Sequence, residues 1–268
     1  MTDLLRLDKL NLHSPHDIIV ILLIGAAVGF LSGLLGKGGS AVTTPALQVF
    51  AGISPFAALA SPLPATLPTT LSASFAYAGK KMVNTRLVGM TVLIGIPATI
   101  AGSFLSPLVG GHILMLLTAS FVLIIGGSFF VPRLQEREAT ANAVFHPPSW
   151  KIILVATGVG GLSGLLANSG GVLFGPLFIR FLKMPAKQAL ACSLIVSAGL
   201  AIPGTIIHWY LGHIDWMIVL LLSVASIPCS YLGAKLALSM RNETLEKIFG
   251  IMLVLFGAYD LFFTLMKH

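Results

Sequence analysis

The stretch Gly29-Phe-Leu-Ser-Gly-Leu-Leu35 returns, 131 residues later, as Gly160-Gly-Leu-Ser-Gly-Leu-Leu166. The register then holds without a gap. Gly39 falls on Gly170, Pro45 on Pro176, and Ala58-Leu-Ala60 on Ala189-Leu-Ala191. Further along, Pro97 falls on Pro228, Gly102 on Gly233 and Gly126 on Gly257. Glycines and prolines spread this widely keep one offset only when a structural unit has been duplicated. The chain is therefore two tandem copies of one unit, near 1–131 and 150–268, joined by a charged linker at 132–149.

What kind of unit follows from composition. Of 268 residues, 56% are apolar and 9% charged, and the mean hydropathy is +0.95. A soluble domain carries about 25% charged residues, so this surface must be solvated by lipid. The fold expected is an all-α integral membrane protein with about five helical elements in each repeat. They run near 17–36, 39–52, 56–79, 87–108 and 112–131, then 150–167, 171–182, 187–211, 214–238 and 245–266. The second element of each half is short, and the first two together suit a re-entrant hairpin. Residues 18–35 resemble a signal peptide in isolation, but their recurrence near residue 160 assigns them to the fold.

An odd number of elements per half predicts inverted repeats, as in many secondary transporters. Basic residues agree. With the 80–86 loop in the cytoplasm, Lys80, Lys81, Arg86, Arg133, Arg137, Lys151, Arg180, Lys183, Lys187, Lys235, Arg241 and Lys247 all fall inside. Arg6, Lys9 and Lys267 fall outside. That is the asymmetry the positive-inside rule asks for. The net charge of +7 is thus a matter of topology, and nucleic acid is not an expected partner. The two cysteines, Cys192 and Cys229, lie within apolar segments and suggest no disulfide framework.

Three places interrupt the apolar pattern with polar chemistry. The first is the pair of breaks between elements one and two, Gly36-Lys37-Gly38-Gly39-Ser40 and Ala167-Asn168-Ser169-Gly170-Gly171. Each precedes a helix start, where free N–H groups and the helix dipole favour an anion. A tight turn for close helix packing is the bland alternative. Lys37 is costly at membrane depth and is either a partner for an anionic substrate or a side chain snorkelling to the interface. The second place is Ser61-Pro-Leu-Pro-Ala-Thr-Leu-Pro-Thr-Thr70. Its prolines free backbone carbonyls, and Thr66, Thr69 and Thr70 stand ready to re-satisfy them or to line a path. The third is His208, a candidate proton relay or an ordinary interfacial or satisfied histidine, which the repeat aligns with Tyr77.

Of the nine acidic residues, all but Asp260 lie at or beyond the predicted helix ends. An anionic or neutral substrate is therefore favoured over a cationic one. No cofactor or metal is expected, since no His, Cys or Met cluster has ligand spacing. Two other function classes compete. Gly161-Leu-Ser163-Gly with His208 is the weak outline of an intramembrane serine protease, and a membrane assembly factor would move nothing.

The motif small-x-Leu-Ser-Gly-Leu-Leu-Gly-x-Gly-Gly, followed six residues later by proline, resembles the sulfite exporter TauE/SafE family, also called the four-toluene-sulfonate uptake permeases. Gly33, Gly36, Gly38, Gly39 and Pro45 match it in the first half, and Gly164, Gly170, Gly171 and Pro176 in the second. The resemblance implies a multi-pass permease of the bacterial inner membrane, not an enzyme, carrying sulfite or an organosulfonate-type anion. Lys37 replaces a small or apolar residue of that pattern, and Ala167-Asn168-Ser169 replaces Gly-x-Gly.

Overall fold

The computed structural model describes residues 15–36, 40–78, 80, 82–105, 120, 122–130, 147–166 and 171–266. Among the described residues ten helices run in order: α1 (Pro15–Leu34), α2 (Ser40–Phe50), α3 (Pro55–Ala60), α4 (Pro62–Tyr77), α5 (Thr85–Leu105), α6 (Ser149–Leu165), α7 (Gly171–Arg180), α8 (Ala186–Tyr210), α9 (Trp216–Ser239) and α10 (Asn242–Met266). A further helical stretch covers 122–128, and no strand occurs among the described residues. Four of the described helices, α1, α5, α8 and α9, are long and apolar enough to cross a membrane. Their outward faces are large and apolar: Leu23, Leu93, Ile206 and Leu220 are all more than half exposed. Water would penalise such a surface, whereas lipid solvates it.

Packing is crossed between the halves. α1 lies against α9, and its counterpart α6 lies against α5. Glycines permit both contacts, and they do so at equivalent positions. A Cβ on Gly33 would collide with the Ser230 carbonyl oxygen, and one on Gly164 with that of Thr99. A Cβ on Gly233 would strike the Phe30 carbonyl oxygen, and one on Gly102 that of Gly161. Each contact maps onto its partner by the 131-residue offset. Small residues let helix backbones approach this closely, and in lipid such packing replaces the hydrophobic drive of water.

Capping obeys the same rule. Asn84 Oδ1 accepts from the Leu87 amide at 3.0 Å and starts α5. Asp215 Oδ1 accepts from the Met217 and Ile218 amides at 2.9 and 3.3 Å and starts α9. The backbone of each cap is tied to the opposite half. The Asn84 amide donates to Cys192 Sγ at 3.3 Å, and the Asp215 amide to Ser61 Oγ at 2.9 Å. Ser61 and Cys192 are again 131 residues apart.

Helix directions follow from these registers. Gly25, Gly29 and Gly33 meet Leu222, Ser226 and Ser230 in ascending order, so α1 and α9 run parallel. The 122–128 helix meets α10 in descending order: Leu123 faces Gly257, Gly126 faces Leu253 and Val254, and Phe129 faces Gly250. Those two elements are counterparts by the offset, and they run antiparallel.

One element departs from the sequence expectation. The helix expected over 56–79 is two pieces, α3 and α4, divided at Ser61. Pro62 and Pro64 remove two N–H donors within one turn, those that would bond the Ala58 and Ala60 carbonyls, which ends one helix and begins the next.

Candidate functional site

The end of α1 is built from contacts across the halves. Gly36 takes φ +60, a left-handed conformation that favours glycine. Space adds a second reason, because a Cβ there would lie 2.5 Å from Ser193 Oγ. Ser193 in turn donates to the Gly36 carbonyl at 3.0 Å. Gly175 of α7 sits next to the Leu35 carbonyl. The first break therefore abuts α7 and α8 of the other half. Lys37, Gly38, Gly39, Asn168, Ser169 and Gly170 lie outside the described residues. The helices that follow the two breaks begin at Ser40 and Gly171, one repeat offset apart, and α2 touches α7.

The threonines of α4 do not re-satisfy the carbonyls that its prolines free. Thr66 Oγ1 donates to the Pro62 carbonyl at 2.9 Å, Thr69 Oγ1 to Ala65 at 2.6 Å and Thr70 Oγ1 to Thr66 at 2.7 Å. None of these is the Pro64 carbonyl, which loses its usual helical donor to Pro68. A threonine reaches only the carbonyl three or four residues back, and Leu67 and Pro68 occupy the positions that could reach Pro64. Thr69 also bonds Ser226 Oγ of α9 at 2.6 Å, and Ser230 Oγ donates to the Thr69 carbonyl at 2.9 Å. α4 is thereby stitched to α9.

Beside that stitch lies a cavity of about 20 Å³, lined by Gly25, Val28, Ser32, Thr43, Pro62, Ala65, Thr69, Leu222 and Ser226. It has room for one particle the size of a water molecule. Ser32 is fully buried, and its hydroxyl has no hydrogen-bond partner among the described residues. Of these polar groups only Thr69 stands out in the sequence. Ser32 hides in a Leu-Ser-Gly packing motif, and Ser226 comes from the other half.

His208 is buried rather than interfacial, and it has a partner at Nδ1. It is 1% exposed, and its Nδ1 lies 3.2 Å from Nδ1 of His213. Two facing Nδ1 atoms at that distance share one proton, so the two rings hold opposite roles. His208 Nε2 has no hydrogen-bond partner among the described residues, so the serine–histidine bond that the protease reading requires between Ser163 and that nitrogen is not formed among them. Tyr77, the counterpart of His208, is likewise buried with its hydroxyl unpartnered among the described residues. No group of three or more His, Cys, Asp or Glu side chains suited to a metal occurs among the described residues.

The family profile described as "Sulfite exporter TauE/SafE" matches residues 21–259. The chain belongs to the sulfite exporter TauE/SafE family. Three curated relatives agree along nearly their whole length. A probable membrane transporter protein, YunE of Bacillus subtilis, is 25% identical, covering 90% of this chain and 96% of the relative. One from Xylella fastidiosa (strain Temecula1) is 28% identical over 91% of this chain and 95% of its own. YfcA of Escherichia coli K12, also a probable membrane transporter protein, is 23% identical over 94% and 92%. No solved structure matches the chain. As a TauE/SafE protein with four apolar helices of spanning length, the chain is a membrane transporter.

Proposed function

We propose that this TauE/SafE protein carries a small sulfur oxyanion or sulfonate across a bacterial inner membrane, by alternating access between two inverted halves. The observation that carries the proposal is the pair of helix starts at Ser40 and Gly171. They stand at equivalent positions, each directly after a glycine-rich break, and their helices touch. Free amides at such starts favour an anion. The substrate contacts assigned here are Gly36, Lys37, Gly38, Gly39 and Ser40 from one half, and Asn168, Ser169, Gly170 and Gly171 from the other. Thr66, Thr69 and His208 are assigned to the path.

Inversion of the halves has its support in the opposed directions of the 122–128 helix and its counterpart α10. The crossed pairs, α1 with α9 and α6 with α5, supply two units of mixed origin that can rock against each other. The linker at 132–149 belongs in the cytoplasm by the distribution of lysine and arginine. A negative interior drives an anion outward by about 2.3 kcal/mol per charge per 100 mV, which makes export the favoured direction.

A thermal-shift screen of purified protein tests the substrate class. Sulfite, sulfoacetate or another sulfonate raises the unfolding midpoint in a concentration-dependent way, and Lys37→Ala abolishes the response. Stabilisation by neutral amino acids alone, or an anion response unchanged in Lys37→Ala, overturns the assignment.

A further inference from the structure

The cavity beside Ser32 is too small for a sulfur oxyanion, so it belongs to something else. Its chemistry can be settled by counting protons. An oxygen–oxygen contact of 2.6 Å needs a proton between the atoms. Thr69 Oγ1 makes two such contacts, to the Ala65 carbonyl and to Ser226 Oγ. A carbonyl cannot donate, so the Thr69 proton goes to Ala65. The second contact must then use the Ser226 proton. The other acceptor near Ser226 Oγ is the Ser223 carbonyl at 3.4 Å, too far to compete. Both hydroxyls have spent their protons within the protein and keep only lone pairs.

Ser32 adds a third oxygen. It is fully buried, lines the same cavity and has no hydrogen-bond partner among the described residues. A hydroxyl left unpaired in the interior costs free energy unless something occupies the site. Pro62, which lines the cavity, and Pro64 and Pro68 further along α4 carry no N–H, so the Ala58, Ala60 and Pro64 carbonyls lack their usual helical donors. The lining side chains contain no cation and no N–H donor. Its polar lining is the hydroxyls of Ser32, Thr43, Thr69 and Ser226, and with the Thr69 and Ser226 protons committed it offers more lone pairs than protons.

We propose that this cavity binds a small dehydrated monovalent cation, Na⁺, through the hydroxyl oxygens of Ser32, Thr69 and Ser226. Hard cations take oxygen ligands, and broken helices at membrane depth offer the carbonyls that complete such shells. Among the described residues the site has no like counterpart in the other half. At the equivalent place in the other, Phe174, Val196 and Leu200 are fully buried and fill the space. A neutral site of this kind holds its ion without a carboxylate, in keeping with the scarcity of acidic residues within the helices. The cation site is separate from the glycine-rich breaks and does not depend on their holding an anion.

The test uses the purified full-length protein with no candidate substrate present, so that its outcome is independent of anion binding. Unfolding midpoints are measured in NaCl and in choline chloride at equal ionic strength. Na⁺ raises the midpoint saturably, and choline does not. Ser32→Ala, which removes no hydrogen bond, leaves the midpoint in choline unchanged. It raises the half-saturating Na⁺ concentration about tenfold. Ser197→Ala, which removes a buried unpartnered hydroxyl from α8, keeps the full Na⁺ response. Equal midpoints in the two salts, or a Na⁺ response unaltered by Ser32→Ala, overturn the proposal.

Discussion

In the first half, Thr43, Ala65, Thr69 and the facing Ser226 leave a small polar cavity beside Ser32. In the second, the same positions hold Phe174, Val196, Leu200 and the facing Gly95, beside Ser163. Phe174, Val196 and Leu200 are fully buried, and Leu200 reaches to 3.0 Å of where a Cβ on Gly95 would lie. The frames around these two places are alike: glycine against carbonyl, cap against opposing helix, each at one offset. The contents differ. Duplication of a helical unit fixes backbone geometry in both copies, because glycine and cap positions tolerate little change. Side chains that merely fill space are free to diverge, and one copy has become solid packing while the other has kept a polar void.

The sharpest way to break the comparison is to attack the shared frame. Gly33→Val and Gly164→Val each drive a branched side chain into a carbonyl of the partner helix. Each should cost about 3 kcal/mol or more, seen as loss of monodisperse folded protein. Tolerance of one but not the other would show that the frames are not equivalent.

Next in size is an exchange of contents. Leu200→Thr empties a packed site and should cost about 2–4 kcal/mol, read from denaturant unfolding. The reverse change, Thr69→Leu, loses the bond to Ser226 but fills a void, and should cost only about 1 kcal/mol. Equal costs would mean that the two sites are packed alike.

The caps come third. Asn84→Ala and Asp215→Ala each remove a helix-start acceptor and should cost about 1 kcal/mol. Asp215, which serves two amides, should be the dearer. The smallest effect is expected at Ser32. In the absence of Na⁺, Ser32→Ala should change stability by no more than about 0.5 kcal/mol. Ser163→Ala should cost more, because that counterpart serine has a partner.

Much of this frame is legible in the sequence. Gly33 and Gly164, Gly102 and Gly233, and Gly126 and Gly257 carry the register in the sequence, and the same glycines make the contacts in space. The break at Gly36 was visible because polar residues interrupt an apolar run. The cap pair Asn84 and Asp215 could have been found by applying the same offset to residues at loop ends.

The cavity was not legible, since it joins α1, α2 and α4 to α9 from more than 150 residues away. Its character depends on which hydroxyl donates to which oxygen, a matter of ångströms that spacing does not encode. The His208–His213 pair was missed because His213 sits in the short loop after α8, where a histidine looks solvated. The division of one helix at Ser61 was signalled by its prolines, yet a single helix kinked by proline has the same signature.

Flux through reconstituted vesicles tests the central claim most directly. Purified protein is incorporated into liposomes loaded with labelled sulfite or sulfoacetate, and a defined membrane potential is imposed. The account predicts saturable efflux that rises as the interior becomes more negative and falls to the level of empty liposomes in Lys37→Ala. Folded protein that passes none of these anions, at any potential, would contradict it.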